Sequence, residues 1–127
     1  MLQRLPLHLL RYGFWALLLA VTTLSLLPTT YLPAQVFSIW DKAQHALAFA
    51  ALATCALLAY PQQRHARHVL PGLLLYGGAI ELAQAATGWR YGEWNDWLAD
   101  ALGLAAGAGV AWGLRRLSRQ PRHTPFS

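Results

Sequence analysis

Charge is scarce in this sequence. Only 12% of the 127 residues are charged, whereas 56% are hydrophobic and the mean hydropathy is +0.30. A soluble domain normally carries about twice that share of charged residues, so the composition indicates a membrane protein. There is one cysteine, Cys55, which excludes a disulfide framework or a cysteine-rich metal site within one chain.

Acidic residues are absent from both ends of the chain. All five lie between residues 41 and 100, namely Asp41, Glu81, Glu93, Asp96 and Asp100. The ten basic residues form short clusters between apolar runs rather than one continuous stripe. The net charge of +5 therefore favours contact with anionic lipid and speaks against a nucleic-acid partner.

Four long apolar runs are present, and they predict helices at about residues 12–28, 42–60, 69–87 and 96–114. Each has about the length that a helix needs to cross the hydrocarbon core, and none alternates as a half-buried strand does. Proline and glycine mark the borders, with Pro71 expected in the first turn of the third helix. The sequence predicts one all-α integral membrane domain over residues 1–127, a bundle of four transmembrane helices with antiparallel neighbours.

The first run has a competing interpretation as a secretory signal, because Arg4 and Arg11 precede its apolar part. The only candidate cleavage site, at 32–34, lacks the small residue required at its first position. The later runs need a membrane in any case, which favours a first transmembrane helix.

The basic residues predict the orientation. Eight of the ten fall on one side of a four-span topology: Arg4, Arg11, Arg64, Arg67, Arg115, Arg116, Arg119 and Arg122. Cytoplasmic loops are enriched in such residues, so both termini are predicted to be cytoplasmic. Lys42, Arg90 and all five acids then lie at the outer face.

Polar residues pair at helical spacing on three of the runs. Asp41 and His45, Glu81 and Gln84, and Asp96 and Asp100 are three or four residues apart, so each pair shares one helix face. A rise of about 1.5 Å per residue places the pairs in one shallow layer. Because an ionised group facing lipid costs several kcal/mol, these faces should converge. We expect one cluster of Asp41, His45, Glu81, Arg90, Asp96 and Asp100, in which at least one carboxylate contacts Arg90 or Lys42 and His45 contacts an acid.

These residues resemble the VanZ-like family over roughly residues 38–114. The pattern DKxxH (Asp41, Lys42, His45) opens one helix, ExxQ (Glu81, Gln84) lies near the end of the next, and Arg90 precedes DxxxDxxG (Asp96, Asp100, Gly103). The family usually has asparagine at the position of Asp100. The resemblance implies a small protein of the bacterial inner membrane and cell envelope, linked to glycopeptide (teicoplanin-type) antibiotic resistance.

Several of the residues also have a structural interpretation. Asp41 and Asp96 are candidate helix N-caps, Lys42 and Arg90 candidate interfacial anchors, and His45 a candidate core histidine. The tryptophans fit an interfacial belt. Glu81 is the hardest to explain structurally, because it lies about two turns inside an apolar helix.

Three classes of function remain open. The sequence favours a binder that holds an amphiphile or a lipid-linked envelope component at the outer face, with Asp41, Lys42, His45, Glu81, Gln84, Arg90, Asp96 and Asp100 as binding residues. An enzyme acting on a lipid-linked precursor is the second class, with His45 as acid or base and a metal held by carboxylates, but no serine or cysteine nucleophile is expected in the outer layer. Structural or partner binding is the third. No cofactor or metal is assigned.

Overall fold

The structure, a computed structural model, describes residues 5–28, 39–88 and 94–119, with the backbone alone for 39–41. Within these ranges the chain forms four α-helices and no strand: α1 (Leu7–Leu26), α2 (Ile39–Ala59), α3 (Gln63–Thr87) and α4 (Trp94–Arg119). Each helix is long and apolar enough to cross a membrane. The all-α class and the four candidate spans are therefore confirmed.

The helices extend beyond the predicted spans. α1 begins at Leu7, α3 at Gln63, and α4 continues to Arg119, each about five residues outside the apolar run that predicted it. Apolar residues mark only the part of a helix that crosses hydrocarbon, whereas helical backbone continues into the headgroup region, where basic side chains are solvated. The end of α3 at Thr87 was predicted correctly.

The expected position of Pro71 was wrong, because this residue lies inside α3 rather than in its first turn. Proline has no N–H and deprives the carbonyl four residues earlier, on Arg67, of its helical donor. Membrane helices tolerate such a break where side chains or water can replace the lost bond. Pro71 follows the basic segment of α3, residues 64–68. It therefore lies near the end of the candidate span.

Contacts between the helices give their directions. Pairs of residues on α2 and α4 rise together in number, from Lys42 with Asp96 to Leu57 with Arg115, so these two helices run parallel. On α3 the order reverses, because Gly78 lies against Trp97 and Gly77 against the deeper Asp100. α1 runs parallel to α3, because Thr22 contacts Tyr76 and Ser25 contacts Gln84. Leu7 and Arg119 therefore lie at one end of the bundle, and Leu26 and Trp94 at the other.

The closest packing joins α2 to α4, which are parallel and not consecutive. A Cβ atom on Gly103 would collide with the backbone carbonyl of Ala46, and one on Gly107 with that of Ala50. Thr54 Oγ1 donates to the carbonyl of Gly107 at 3.2 Å across the same seam. Small residues allow two helix backbones to approach in this way. The GxxxG pair of α4 thus holds α2 and α4 in a fixed register.

The interior is small, and the outside is apolar. One cluster fills the core: Phe14, Phe49, Leu52, Ala53, Ala56, Leu73 and Leu104. Many leucines point outward, among them Leu19, Leu75 and Leu102. A water-soluble protein rarely exposes so much contiguous apolar surface, whereas lipid tails cover it without cost. α1 contributes only Phe14 to the buried residues and lies at the edge of the bundle.

Candidate functional site

The α2–α4 seam brings together ionisable groups at the end of the bundle where both helices begin. Lys42 Nζ on α2 donates to Asp96 Oδ1 on α4 at 3.1 Å. The lysine side chain is 46% exposed, whereas that of Asp96 is 5% exposed. The pair therefore joins an interfacial cation to a buried carboxylate, and it lies above the glycine contacts of the same seam.

One turn deeper, His45 lies between two carboxylates. His45 Nδ1 is 2.9 Å from Asp100 Oδ1 on α4 and 3.9 Å from Glu81 Oε1 on α3. An ionised carboxylate only accepts hydrogen bonds, so with Asp100 ionised the donor of the 2.9 Å contact is His45 Nδ1. Asp100 is fully buried and Glu81 is 8% exposed. Both acids thus face the bundle interior rather than lipid.

Side-chain nitrogen and oxygen atoms from three helices converge at this point. One ring nitrogen of His45, one carboxylate oxygen of Glu81 and one of Asp96 all lie within 4.8 Å of one another. We call the set Lys42, His45, Glu81, Asp96 and Asp100 the polar cluster. Its members come from α2, α3 and α4, and the α2–α4 seam fixes the spacing of four of the five.

Gly77 makes room for the deepest acid. A Cβ atom at this position would lie 2.8 Å from Asp100 Oδ2 and 3.1 Å from the Phe49 ring. Any larger residue at this position would have to push one of these two side chains aside. The carboxylate of Asp100 is therefore enclosed by the aromatic ring of Phe49 and by the α3 backbone.

The first helix closes one side of the site, although the resemblance did not include it. Gln84, which is 2% exposed, donates from Nε2 to the carbonyl of Ser25 at 2.9 Å. Deeper in the bundle, the Thr22 and Tyr76 hydroxyls are 2.6 Å apart. Gln84 Oε1 is buried and accepts no hydrogen bond from the residues that the structure describes. This oxygen is a candidate acceptor for a ligand donor beside Glu81.

Sequence reasoning missed Ser25, Thr22 and Tyr76 because it left α1 outside the site. Three hydroxyl residues within four positions, Thr22, Thr23 and Ser25, were the available signal. A membrane helix places its polar residues toward other helices. Trp97, considered only as part of an interfacial belt, also donates from Nε1 to the carbonyl of Leu74 at 2.8 Å and joins α4 to α3.

The expected contacts within the predicted site are present for the residues whose side chains are described. Lys42, His45, Glu81, Asp96 and Asp100 converge, while Gln84 binds α1 instead. Arg90 and Glu93 lie outside the described residues, and Asp41 belongs to α2 without a described side chain. Whether any of these residues holds a ligand remains a prediction.

The N-cap interpretation of Asp96 was wrong. α4 begins at Trp94 and Asp96 lies in its first turn, where a negative charge is still favoured by the helix dipole. α2 begins at Ile39, so Asp41 also follows a helix start rather than capping it. Both predictions failed because each helix continues beyond its apolar run. The side chain of Asp96 is instead engaged by Lys42.

Chemically, the polar cluster combines acceptors, a cation and an imidazole in an apolar environment. Charge interactions are stronger there than in water, and a carboxylate buried alone would be costly. The cluster can bind a cation, or a ligand that presents hydrogen-bond donors. Searches against protein-family profiles, curated proteins and solved structures found no match to this chain.

Proposed function

We propose that this chain is a VanZ-like integral membrane protein of the bacterial cell envelope, and that its polar cluster binds an amphiphile or a lipid-linked envelope component. The observation that supports this most directly is the convergence of three buried carboxylates and a histidine from three helices. Their position near one end of the bundle suits a ligand whose polar head enters while its tails stay in lipid.

Stability alone gives a weak reason for such a cluster. Replacing buried ionic groups by apolar residues of similar size is often neutral or stabilising, whereas polar residues inside a membrane usually mark a functional pathway or site. Glu81 carries this argument furthest, because neither helix capping nor interfacial anchoring requires a carboxylate at its depth. Binding is preferred over catalysis, because no nucleophilic serine or cysteine belongs to the polar cluster.

The proposed orientation puts the polar cluster at the outer face of the inner membrane and both termini in the cytoplasm. It is supported by the distribution of the arginines and by the antiparallel arrangement, which brings Leu7 and Arg119 to the same end. The test fuses a reporter that is active only outside the cytoplasm to either terminus. Activity of that reporter at an end of the full chain would contradict the orientation.

The test of binding is extraction of the protein in mild detergent followed by mass spectrometry of co-purified lipids. Wild type should retain a defined amphiphile, and Glu81→Gln should lose it while remaining folded, because glutamine keeps the shape without the charge. Arg116→Gln is the matched control, since it removes one charge from an exposed position at the opposite end. The same lipid profile in all three proteins would contradict the proposal.

A phenotype gives a second readout. The resemblance implies a contribution to teicoplanin-type resistance, so a deletion strain should become more sensitive to that class of antibiotic. Complementation by wild type and by Arg116→Gln should restore resistance, and Glu81→Gln should not. Protein abundance in the membrane is measured beside sensitivity. Full complementation by Glu81→Gln at normal abundance would favour the purely structural role of the cluster.

A further inference from the structure

The geometry points to a divalent transition-metal site in the polar cluster, with His45, Glu81 and Asp96 as ligands and Asp100 orienting the imidazole. This inference rests on the proposed function, because it uses the same cluster and adds the chemistry that would hold an anionic head group. Zn²⁺ and Mn²⁺ are the ions that we assign to it.

The donor set favours these ions. Imidazole nitrogen suits zinc and other transition metals, and carboxylate oxygen suits manganese as well. A hard cation such as Ca²⁺ instead takes six to eight oxygen ligands. One nitrogen and two oxygens leave open coordination positions, as in metal sites that also bind a ligand or water.

Distances are compatible with a site that contracts slightly on binding. The three donor atoms lie within 4.8 Å of one another, whereas donors around a four-coordinate zinc are roughly 3.4 Å apart when each bond is about 2.1 Å. Rotation of the Glu81 and Asp96 side chains toward His45 Nε2 would close this gap. The α2–α4 glycine seam already fixes the helix that carries His45 relative to the one that carries Asp96.

Asp100 supplies an independent feature of metal centres. A histidine that binds a metal usually shares its other ring nitrogen with a carboxylate or carbonyl, which fixes the ring and its tautomer. His45 Nδ1 has such a carboxylate at 2.9 Å, which leaves Nε2 as the ring nitrogen that would bind the metal. Asp100 is fully buried and confined by Gly77 and Phe49, so it holds the imidazole in one orientation.

Charge explains why a metal would matter for binding. In the predicted topology the outer face carries five acids against Lys42 and Arg90, and this excess of acids repels an anionic lipid. A divalent ion held by the carboxylates would reverse the local charge. It would present an open position to a phosphate oxygen. The ligand class is therefore a phosphate-bearing amphiphile bound through the metal.

A change at Lys42 is expected to strengthen metal binding rather than weaken it, which distinguishes this inference from other roles of the lysine. This lysine contacts Asp96 Oδ1 at 3.1 Å and so competes with a metal for the same carboxylate. Lys42→Gln should therefore bind metal more tightly than wild type. For a site in which lysine itself holds a phosphate, the same change would weaken ligand retention in the absence of metal.

The experiment uses the full chain, purified through a tag without histidines and stripped with chelator. Zn²⁺ and Mn²⁺ are added separately, and bound metal is measured after dialysis. Wild type should hold about one ion per chain at a site with open coordination. His45→Gln and Glu81→Gln should weaken binding by at least about ten- to a hundredfold. His68→Gln, an exposed histidine of the basic segment of α3, is the control and should bind as wild type does.

Absence of a stoichiometric ion from wild type overturns the inference, whatever the variants do. Binding that His45→Gln leaves unchanged, or that His68→Gln abolishes, overturns it as well, since the ion then lies elsewhere. Weaker binding by Lys42→Gln would remove Asp96 from the ligand set. Metal binding by wild type is tested without any variant, so the inference can be contradicted even if a variant misfolds.

A final measurement separates this inference from the proposed function. Lipid retention is compared in chelator and in added metal. Lipid retention only in added metal supports both the metal site and the proposed binding of an amphiphile. Equal retention in chelator overturns the metal-bridged mode and leaves amphiphile binding intact, whereas bound metal without any retained lipid keeps the metal site and contradicts the proposed function.

Discussion

The two ends of the bundle use charged residues in different ways. We call the end with Leu7 and Arg119 the basic end, and the end with the polar cluster the acidic end. At the basic end, Arg11 Nε donates to the carbonyl of Ala59 at 3.2 Å, and Arg115 donates to that of Leu57. Both therefore satisfy carbonyls in the last turn of α2, which have no helical donors. At the acidic end, the described contacts of the polar cluster join side chains to side chains.

This difference separates structural charge from charge available for chemistry. Cations at the C-terminus of a helix complement its dipole and its free carbonyls, so Arg11 and Arg115 have a sufficient structural explanation. Arg11 also stacks at 4.9 Å over the ring of Tyr60. The polar cluster completes no helix end that the structure describes. The comparison predicts that substitutions at the basic end change stability and leave binding unchanged, whereas those in the polar cluster change binding, whatever they do to stability.

The largest effect is expected in the glycine seam that supports the polar cluster. Gly103→Ala should lower the free energy of unfolding by about 3 kcal/mol, near the upper range for overpacking, because the new methyl meets the backbone of Ala46 rather than a movable side chain. The measurement is unfolding in mixed micelles with increasing SDS. Gly109→Ala is the matched control. It has open space, and alanine should stabilise the helix by up to about 1 kcal/mol. Equal effects of the two changes would contradict the close α2–α4 contact.

The second effect concerns the deepest acid. Asp100→Ala should cost about 2 kcal/mol, because it removes a buried partner of His45 and leaves the imidazole without that acceptor. Asp100→Asn keeps an acceptor oxygen and should cost less than half as much. Equal losses of stability in the two variants, measured by SDS unfolding, would show that the His45 contact contributes little.

At the basic end, Arg115→Met should lower the free energy of unfolding by about 1 kcal/mol, the usual net value of a hydrogen bond, and leave lipid and metal binding unchanged. Arg116→Met is the control, since the Arg116 guanidinium lies over the Trp112 ring and both residues are exposed. Both variants are compared by SDS unfolding and by retained lipid. A loss of lipid in Arg115→Met without a loss of stability would reverse the roles assigned to the two ends.

Much of this arrangement follows from local properties of the sequence. The apolar runs locate four spans, and the spacing of Asp96 and Asp100 puts both on one face of α4. The cost of charge in hydrocarbon then requires that face to turn inward, so the convergence with His45 and Glu81 was predictable. Gly103 and Gly107 are four residues apart, a spacing that favours a close helix contact.

Other features depended on tertiary contacts that spacing does not encode. Gln84 faces Ser25 because α1 packs beside α3, and no periodicity in α3 identifies its neighbour. The partner of the α4 glycines is α2 rather than the consecutive α3, and the glycine spacing does not indicate which helix that partner is. Helix ends were misplaced because apolarity reports the hydrocarbon boundary, whereas hydrogen bonding continues beyond it.

The smallest effect is expected for Lys42 and Asp96, and it tests the comparison most closely. Their 3.1 Å contact joins a buried carboxylate to a lysine that is 46% exposed, and pairs with a solvated partner contribute about 0 to 1 kcal/mol. A double-mutant cycle of Lys42→Gln and Asp96→Asn, measured by SDS unfolding at low and high salt, should give a coupling energy within that range that falls with salt. Retained lipid or metal should change far more in Asp96→Asn than its stability does. A coupling of several kcal/mol, insensitive to salt, would instead give this pair a mainly structural role, as assigned to the arginine contacts at the opposite end, and it would remove the distinction between the two ends of the bundle.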